Sequence, residues 1–379
     1  MFWMIILATF LVAYANGAND NIKGVASLVG SRTTSFETAI RWATLMTFLG
    51  SLAACFFATK LVNTFGGKGL FPDALLGQHT FLVSVILGAG FTVLFASRLG
   101  IPISTTHSLI GALVGVGMIA LHGEIAYAAL GKNFIIPLIV SPFIAVGLSM
   151  LIYPVLKFTR KKLKVTKNTC VCIGGKLVPV EQMAFVQGLT DKKQAFLIPE
   201  IIVGDKRMCE TDLVETYQGR IMGVNVQSLL NGLHFLTAGA VSFARGLHDT
   251  PKIVGLAVVA GVLNLQWNVS IVAVAMAIGG LLGAKRVAKT VSWKITSMNH
   301  GQGFTANAIT AFLVIFASHL GVPVSTTHVS CGALFGIGAV NKKANGRTIS
   351  GIVSAWVLTL PLAALLSALT YFIFTFRSF

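Results

Sequence analysis

Phe95 to Gly117 reads FASRLGIPISTTHSLIGALVGVG, and Phe316 to Gly338 reads FASHLGVPVSTTHVSCGALFGIG. Fifteen of these 23 positions are identical at a constant offset of 221, which chance does not supply. In each copy Gly and Pro interrupt an apolar run, at Gly100-Ile-Pro-Ile-Ser-Thr-Thr-His107 and at Gly321-Val-Pro-Val-Ser-Thr-Thr-His328. Neither flanking piece is comfortably long enough to span a bilayer alone. Broken backbone at membrane depth leaves N–H groups unsatisfied, and is tolerated only inside protein or beside a water-filled cavity. Ser104, Thr105 and Thr106 then open a new half-helix, as do Ser325, Thr326 and Thr327. Such a terminus combines free backbone N–H groups, a partial positive charge and hydroxyl donors, which together suit an anion. One motif alone reads most simply as helix capping. Its duplication in corresponding positions favours two termini enclosing one tetrahedral oxyanion.

The rest of the chain agrees with a membrane setting. Of 379 residues 55% are hydrophobic and only 11% charged, with a mean hydropathy of +0.80. That leaves too few charges for an ordinary wet surface. Runs long enough to cross a bilayer recur on both sides of a polar stretch at 157–226. Met1 to Tyr14 is apolar and is followed by polar residues, not by a small-residue cleavage site, so it reads as the start of a first membrane helix. The net charge of +17 comes from Lys and Arg that sit mostly in breaks between apolar runs, densest at Lys157, Arg160, Lys161, Lys162, Lys164 and Lys167. This is the positive-inside pattern; it argues against nucleic-acid binding and puts the central segment in the cytoplasm. Short β-like pieces there, Lys176-Leu-Val-Pro-Val and Ile201-Ile-Val, alternate with charged turns. Cys170-Val-Cys172 lacks a second ligand pair at zinc spacing.

A second repeat pairs Gly17-Ala-Asn-Asp-Asn-Ile-Lys23 with Gly246-Leu-His-Asp-Thr-Pro-Lys252, keeping Gly, Asp and Lys at the same spacing. Asp20, Lys23, Asp249 and Lys252 thus place charges inside apolar runs, where they are expensive and mark function by default. The bland alternative is an Asp–Lys pair at i, i+3 neutralising itself in each half. An aspartate beside an anion makes sense if the ligand carries a proton for the carboxylate to accept, which favours phosphate over sulfate. A Ser–His catalytic pair lacks an orienting carboxylate. His107 and His328 are instead expected to hold their half-helices by a hydrogen bond.

The paired GAND-type and STTH-type motifs resemble the PiT family of inorganic phosphate transporters, over both membrane halves. The resemblance implies an inverted-repeat helical bundle, often dimeric, that symports phosphate with sodium or, in many bacterial members, with protons or metal–phosphate. It places the family's motif aspartates on Asp20 and Asp249 and its oxyanion-binding hydroxyls on Ser104, Thr105, Ser325 and Thr326. The first motif's Asn falls on Asn19, but His248 stands there in the second copy. The family's usual GANDVANA pattern has Asn where this chain has Lys23 and Lys252. An ammonium of fixed position can take the place and charge of a bound cation, so these lysines are expected to replace sodium in part; they also open selectivity toward sulfate.

The expected fold is an all-α polytopic membrane protein of two inverted repeats, with about 10–12 membrane segments including half-helices or re-entrant hairpins. Its parts are an N-terminal membrane half (1–156), a small soluble insert (157–226) and a C-terminal membrane half (227–379). The expected activity is secondary transport of inorganic phosphate across the cell membrane by alternating access, coupled to protons or sodium. A sulfate permease and an anion channel are the alternatives; no motif supplies an enzyme's nucleophile and base. Asp20, Ser104, Thr105, Asp249, Ser325 and Thr326 are the oxyanion candidates. Asn19, Lys23, Thr106, His248, Lys252 and Thr327 stand behind them. No cofactor is expected beyond a coupling cation, with Asn19, Asp20 and Asp249 the candidate ligands for sodium. Phosphate, the bilayer and a second copy of the chain are the expected partners.

Overall fold

In this computed structural model the described residues are 1–162, 171–178, 196–203, 220–221, 224–293, 295 and 299–376. The chain divides into two compact units, Met1–Val155 with Leu230–Phe379, and Leu156–Leu229. In the smaller unit β1 (Val171–Val178) pairs antiparallel with β2 (Phe196–Val203), Val171 opposite Val203 and Val178 opposite Phe196. A two-residue ladder joins β3 (Arg220–Ile221) to β4 (Val224–Asn225). The predicted β-like pieces fall on β1 and β2, apart from Pro179 and Val180, which lie outside the described residues, as do Lys164, Lys167, Cys170 and Cys209.

The larger unit is helical. Its first half holds α1 (Phe2–Gly30), α2 (Phe36–Phe57), α3 (Thr59–Phe65), α4 (Asp73–Leu76), α5 (His79–Leu99) and α6 (Thr105–Ala120). The short α7 (Tyr127–Leu130) and a π-helical turn (Gly131–Ile135) lead into α8 (Ile136–Lys162). The second half holds α9 (Val226–Val259), α10 (Leu265–Gly283), α11 (Lys285–Trp293), α12 (His300–Leu320), α13 (Thr326–Val340) and α14 (Gly346–Phe376). Among the described residues seven helices are long and apolar enough to cross a membrane, with Thr105–Ala120 and Thr326–Val340 as shorter apolar helices. The 34-residue α9 carries Arg245, Asp249 and Lys252 in its interior. Large apolar side chains such as Trp3, Phe56, Phe143, Leu282 and Leu365 are exposed along these helices. A bilayer covers such a surface; water does not.

The duplication extends beyond the two motifs. α5 and α12 each end on a left-handed glycine, Gly100 at φ +72° and Gly321 at φ +74°. Four residues on, α6 and α13 each start from a serine cap. α1 is followed by Arg32 at φ +57° and the cap Ser35 of α2; at an offset of 229, α9 is followed by Gly261 at φ +66° and the cap Asn264 of α10. α1 and α9 run antiparallel against each other, because Ser27 meets His234 while Asp20 meets Arg245. Gly24 lets them touch between those points, since a Cβ there would collide with Ser242.

Candidate functional site

The two helix breaks meet. Residues 101–104 and 322–325 form irregular stretches after the left-handed glycines. Each break is held by the other half: the Thr106 hydroxyl donates to the Val324 carbonyl (3.3 Å), and the Thr327 hydroxyl to the Ile103 carbonyl (3.0 Å). The backbone groups freed by the break are thus satisfied inside protein, as membrane depth demands. Ser104 and Ser325 accept from the N–H of His107 and His328, each at 3.2 Å, so both serines cap their half-helices. A hydroxyl that caps by accepting still has its own proton to donate. The remaining first-turn N–H groups of α6 and α13 have no acceptor within their own helices.

Asn19 and His248 brace these breaks in the same way. Asn19 Nδ2 donates to Ser97 Oγ and to the Ile101 carbonyl, both at 3.0 Å, and its Oδ1 accepts from the Ile103 N–H. His248 Nε2 lies 3.2 Å from the Val324 N and 3.0 Å from the Val324 carbonyl oxygen, and Nδ1 lies 2.7 Å from Ser318 Oγ; the tautomer with Nδ1–H donating to Ser318 lets Nε2 accept from the Val324 N–H. Ser97 and Ser318 in turn donate to Val93 and Val314. The departure from Asn at position 248 therefore keeps the brace, because imidazole offers one donor and one acceptor as the amide does.

Charges converge on this point from both halves. Asp20, Lys23, Arg245, Asp249 and Lys252 are each at most 4% exposed. Lys23 Nζ is bonded to the Asp20 carboxylate and donates to Asn19 Oδ1 (2.8 Å), the Ile103 carbonyl (2.7 Å) and Thr327 Oγ1 (2.7 Å). Lys252 Nζ donates to Asp249 Oδ1 (2.8 Å), the Val324 carbonyl (2.9 Å) and Thr106 Oγ1 (2.7 Å). Each ammonium sits in a cage of oxygens drawn from both repeats. Asn19 Oδ1 and Asp20, which the sequence offers to a sodium ion, are here ligands of Lys23.

Between the two cages lies Arg245, which sequence reasoning missed. Its Nη2 is 3.1 Å from Asp20 Oδ2 and 3.4 Å from Asp249 Oδ2. Its Nε and Nη1 are buried without a hydrogen-bond partner among the described residues. Burying a cation with idle donors is costly, and a bound anion removes that cost. Asn16 stands at the corresponding position of α1 and donates to Asp20 Oδ2 (3.0 Å) and Thr105 Oγ1 (2.9 Å). Thr105 and Thr326 donate to Asp20 Oδ2 and Asp249 Oδ2 at 3.3 and 3.2 Å. Four of the oxyanion candidates, Asp20, Thr105, Asp249 and Thr326, are therefore linked to Arg245, while Ser104 and Ser325 stand one residue before the two threonines as helix caps. Three cations face two carboxylates, so the cluster carries one surplus positive charge. The signal for Arg245 was present, as a charge one helical turn before Asp249 in an apolar run. It was hidden because its partner in the repeat is the neutral Asn16.

His107 and His328 meet ring against ring, centroids 4.4 Å apart, and His328 stacks on Trp356 at 3.7 Å. His328 is also within hydrogen-bonding reach of the Leu138 backbone, while His107 Nδ1 and His328 Nε2 have no partner among the described residues. The expected ring hydrogen bond is thus found at His328, and ring packing across the repeats takes its place at His107. A basic cavity of about 460 Å³ opens beside the Asn19 brace, lined in part by Tyr14, Ser97, Arg98, Lys285, Arg286 and Lys289.

A multi-pass helical bundle whose broken helices gather buried charges and hydroxyls at one point defines a membrane transporter of anions. Comparison with known proteins makes this specific: residues 16–367 match the phosphate transporter family, and the chain belongs to it. A Thermococcus kodakarensis chain described by the words "phosphate permease" is 29% identical, with 97% of each chain covered. A Rhizobium meliloti chain described as a probable low-affinity inorganic phosphate transporter is 28% identical, covering 97% of this chain and 95% of its own. The solved structure titled "The sodium-dependent phosphate transporter" shares the fold over 99% of both chains, with a TM-score of 0.74 at 22% identity. Membership in this family makes the chain a transporter and not an enzyme.

Proposed function

We propose that this protein carries inorganic phosphate across the cell membrane by alternating access, driven by protons and not by sodium. The observation that carries the reading is Arg245, buried between Asp20 and Asp249 with two idle donors beside the hydroxyls of Thr105 and Thr326. Phosphate oxygens accept from the guanidinium, from the serine hydroxyls, from the first-turn N–H groups, and from the threonine hydroxyls once these turn away from the carboxylates. A phosphate hydroxyl donates to a carboxylate, which sulfate at neutral pH cannot do. That difference selects phosphate over sulfate.

The coupling ion follows from the two lysines. Each ammonium already brings to a cage of oxygens the unit positive charge that a sodium ion would bring. The antiparallel run of α1 and α9 supports an inverted relation of the repeats, so that one bundle rocks against the other around a central site. The basic residues from Lys157 onward favour a cytoplasmic place for the 157–226 segment.

The test is uptake into proteoliposomes of the purified protein, with sodium and proton gradients imposed separately and phosphate, sulfate and arsenate compared. Saturable accumulation of phosphate against its gradient, driven by protons, is the expected result. Flux without saturation or uphill accumulation makes the protein a channel. Strict sodium dependence overturns the role given to the lysines.

A further inference from the structure

At the C-terminal end of α1, beyond the oxyanion cluster, lies a second buried polar group that the transport site does not use. His234 Nε2 meets Ser27 Oγ at 2.9 Å, and Ser27 Oγ accepts from Asn307 Nδ2 at 2.8 Å. Thr33 Oγ1 lies 3.3 Å from His234 Nδ1 and 2.9 Å from His300 Nδ1. His234 is fully buried and His300 4% exposed. Gly303 makes room for the His234 ring, with which a Cβ there would collide.

The repeat supplies an internal control. At the offset of 229 the counterparts of Ser27, Thr33 and His234 are Leu256, Val262 and Ile5; at the offset of 221 the counterpart of Asn307 is Ile86 and that of His300 is His79, whose Nε2 lies 3.3 Å from the Ala260 carbonyl. Leu256, Ile5 and Ile86 belong to one apolar core cluster, and Val262 packs against it. The fold therefore builds the equivalent corner with hydrocarbon at four of these five positions and a histidine, His79, at the fifth. Burying hydroxyls, an amide and imidazoles there gains no packing and costs desolvation. The polar corner calls for another reason.

One assignment of protons makes every bond of this group with both rings neutral. Ser27 donates to His234 Nε2, His234 Nδ1–H donates to Thr33, and Thr33 donates to His300 Nδ1. A proton added at His300 Nδ1 needs only one hydroxyl to turn. Thr33 then accepts from both rings and points its own hydrogen at Ser31 Oγ, 2.7 Å away, while Ser31 donates to the Leu28 carbonyl. Thr33 is half-buried and Arg32 beside it exposed, so the chain of bonds reaches the protein surface. Inward, Ser27 lies one helical turn beyond Lys23 on the same face of α1.

Resting on the proton-driven reading above, we propose that the His234–Thr33–His300 group is the binding site of the coupled proton. The charged groups around it set the sign. Lys23 on α1 and the surplus charge of the oxyanion cluster oppose a proton on the pair when the site is empty. Arg32 is exposed, as are Glu37 and Arg41 on α2, whose Trp42 bonds the Phe235 carbonyl. From α12 the titratable group facing His234 is His300, at 6.2 Å between centroids. A phosphate dianion turns the surplus of one positive charge into one negative, and a single proton on the histidines restores neutrality. Phosphate and proton therefore favour each other's binding, reciprocally. The proton enters at His300 Nδ1 and leaves from the same pair to the water on the other side; no other bond changes.

The test uses the full chain in proteoliposomes, without sodium and with the voltage clamped to zero. Phosphate accumulation driven by one pH unit is compared with exchange of labelled for unlabelled phosphate at equal pH, for the parent, His234→Gln and His300→Gln. The parent should concentrate the dianion about tenfold, one proton per phosphate. Both variants should still exchange phosphate at saturating concentration, with the raised KM that reciprocal coupling requires, and lose the accumulation, which a protonophore also abolishes in the parent. Variants that accumulate like the parent overturn the proposal, because the proton then travels on phosphate itself. Loss of exchange in both variants also overturns it, making the group structural. A parent that exchanges phosphate but ignores the pH gradient refutes instead the proton-driven reading beneath it.

Discussion

Replacing Arg245 by Gln leaves a shorter, neutral side chain with one amide NH2 in place of the charged guanidinium fork. In the structure Arg245 Nη2 reaches both Asp20 and Asp249, while Nε and Nη1 face the site without partners among the described residues. Each hydrogen bond from a charged donor is worth about 1.5–3 kcal/mol, so losing one to phosphate lowers affinity by roughly 10- to 150-fold. Losing the cation also neutralises the cluster, from one surplus positive charge to an even balance, which removes the Coulombic attraction for an anion. The carboxylates keep Lys23 and Lys252, so the fold should survive. Calorimetric titration of the purified protein with phosphate reads the effect directly, and Arg245→Lys separates charge from fork geometry. Lysine should recover part of the affinity, because it restores charge but not the planar pair of donors. Parent-like affinity in Arg245→Gln, with the protein still folded, would refute the assignment of Arg245 to the oxyanion.

Three further outcomes are expected. Replacing Lys23 and Lys252 together by Asn should empty both oxygen cages and create sodium dependence of phosphate uptake; a double variant as indifferent to sodium as its parent contradicts the tethered-cation reading. Lys285→Gln with Lys289→Gln should raise the KM for phosphate a few-fold at low ionic strength, by about 3-fold, and leave it unchanged near 1 M salt, where a Debye length of about 3 Å screens the basic cavity. An equal KM change at both salt levels would point to contact, not steering. Gly24→Val should sharply reduce the yield of folded protein, since its side chain collides with Ser242 where α1 crosses α9; a normal yield and melting temperature contradict that crossing.

The helix breaks were legible because Gly, Pro and the hydroxyl triplet each carry a backbone consequence, and duplication at fixed offset told function from capping. That Thr106 and Thr327 each bond the opposite break was not legible, because it depends on how the halves meet, which no local pattern encodes. Asn19 and His248 show the reverse case. Their difference in sequence reads as a departure, whereas in space both satisfy a neighbouring serine and the same backbone amide. Arg245 escaped because the repeat was aligned on what the copies share, and its functional weight lies in what they do not. The His234–His300 corner escaped for the same reason, since Ser27, Thr33, His234 and Asn307 all have apolar counterparts and His300 alone is matched by another histidine, His79.

The central claim is that one phosphate sits where the two helix breaks meet. Anomalous diffraction from crystals soaked in arsenate, which matches phosphate in shape and charge, locates the anion without reference to any density fit. The account predicts a single arsenic peak within hydrogen-bonding reach of Arg245, Thr105 and Thr326. A peak confined to the basic cavity at Lys285 and Lys289, with none between Asp20 and Asp249, would contradict it.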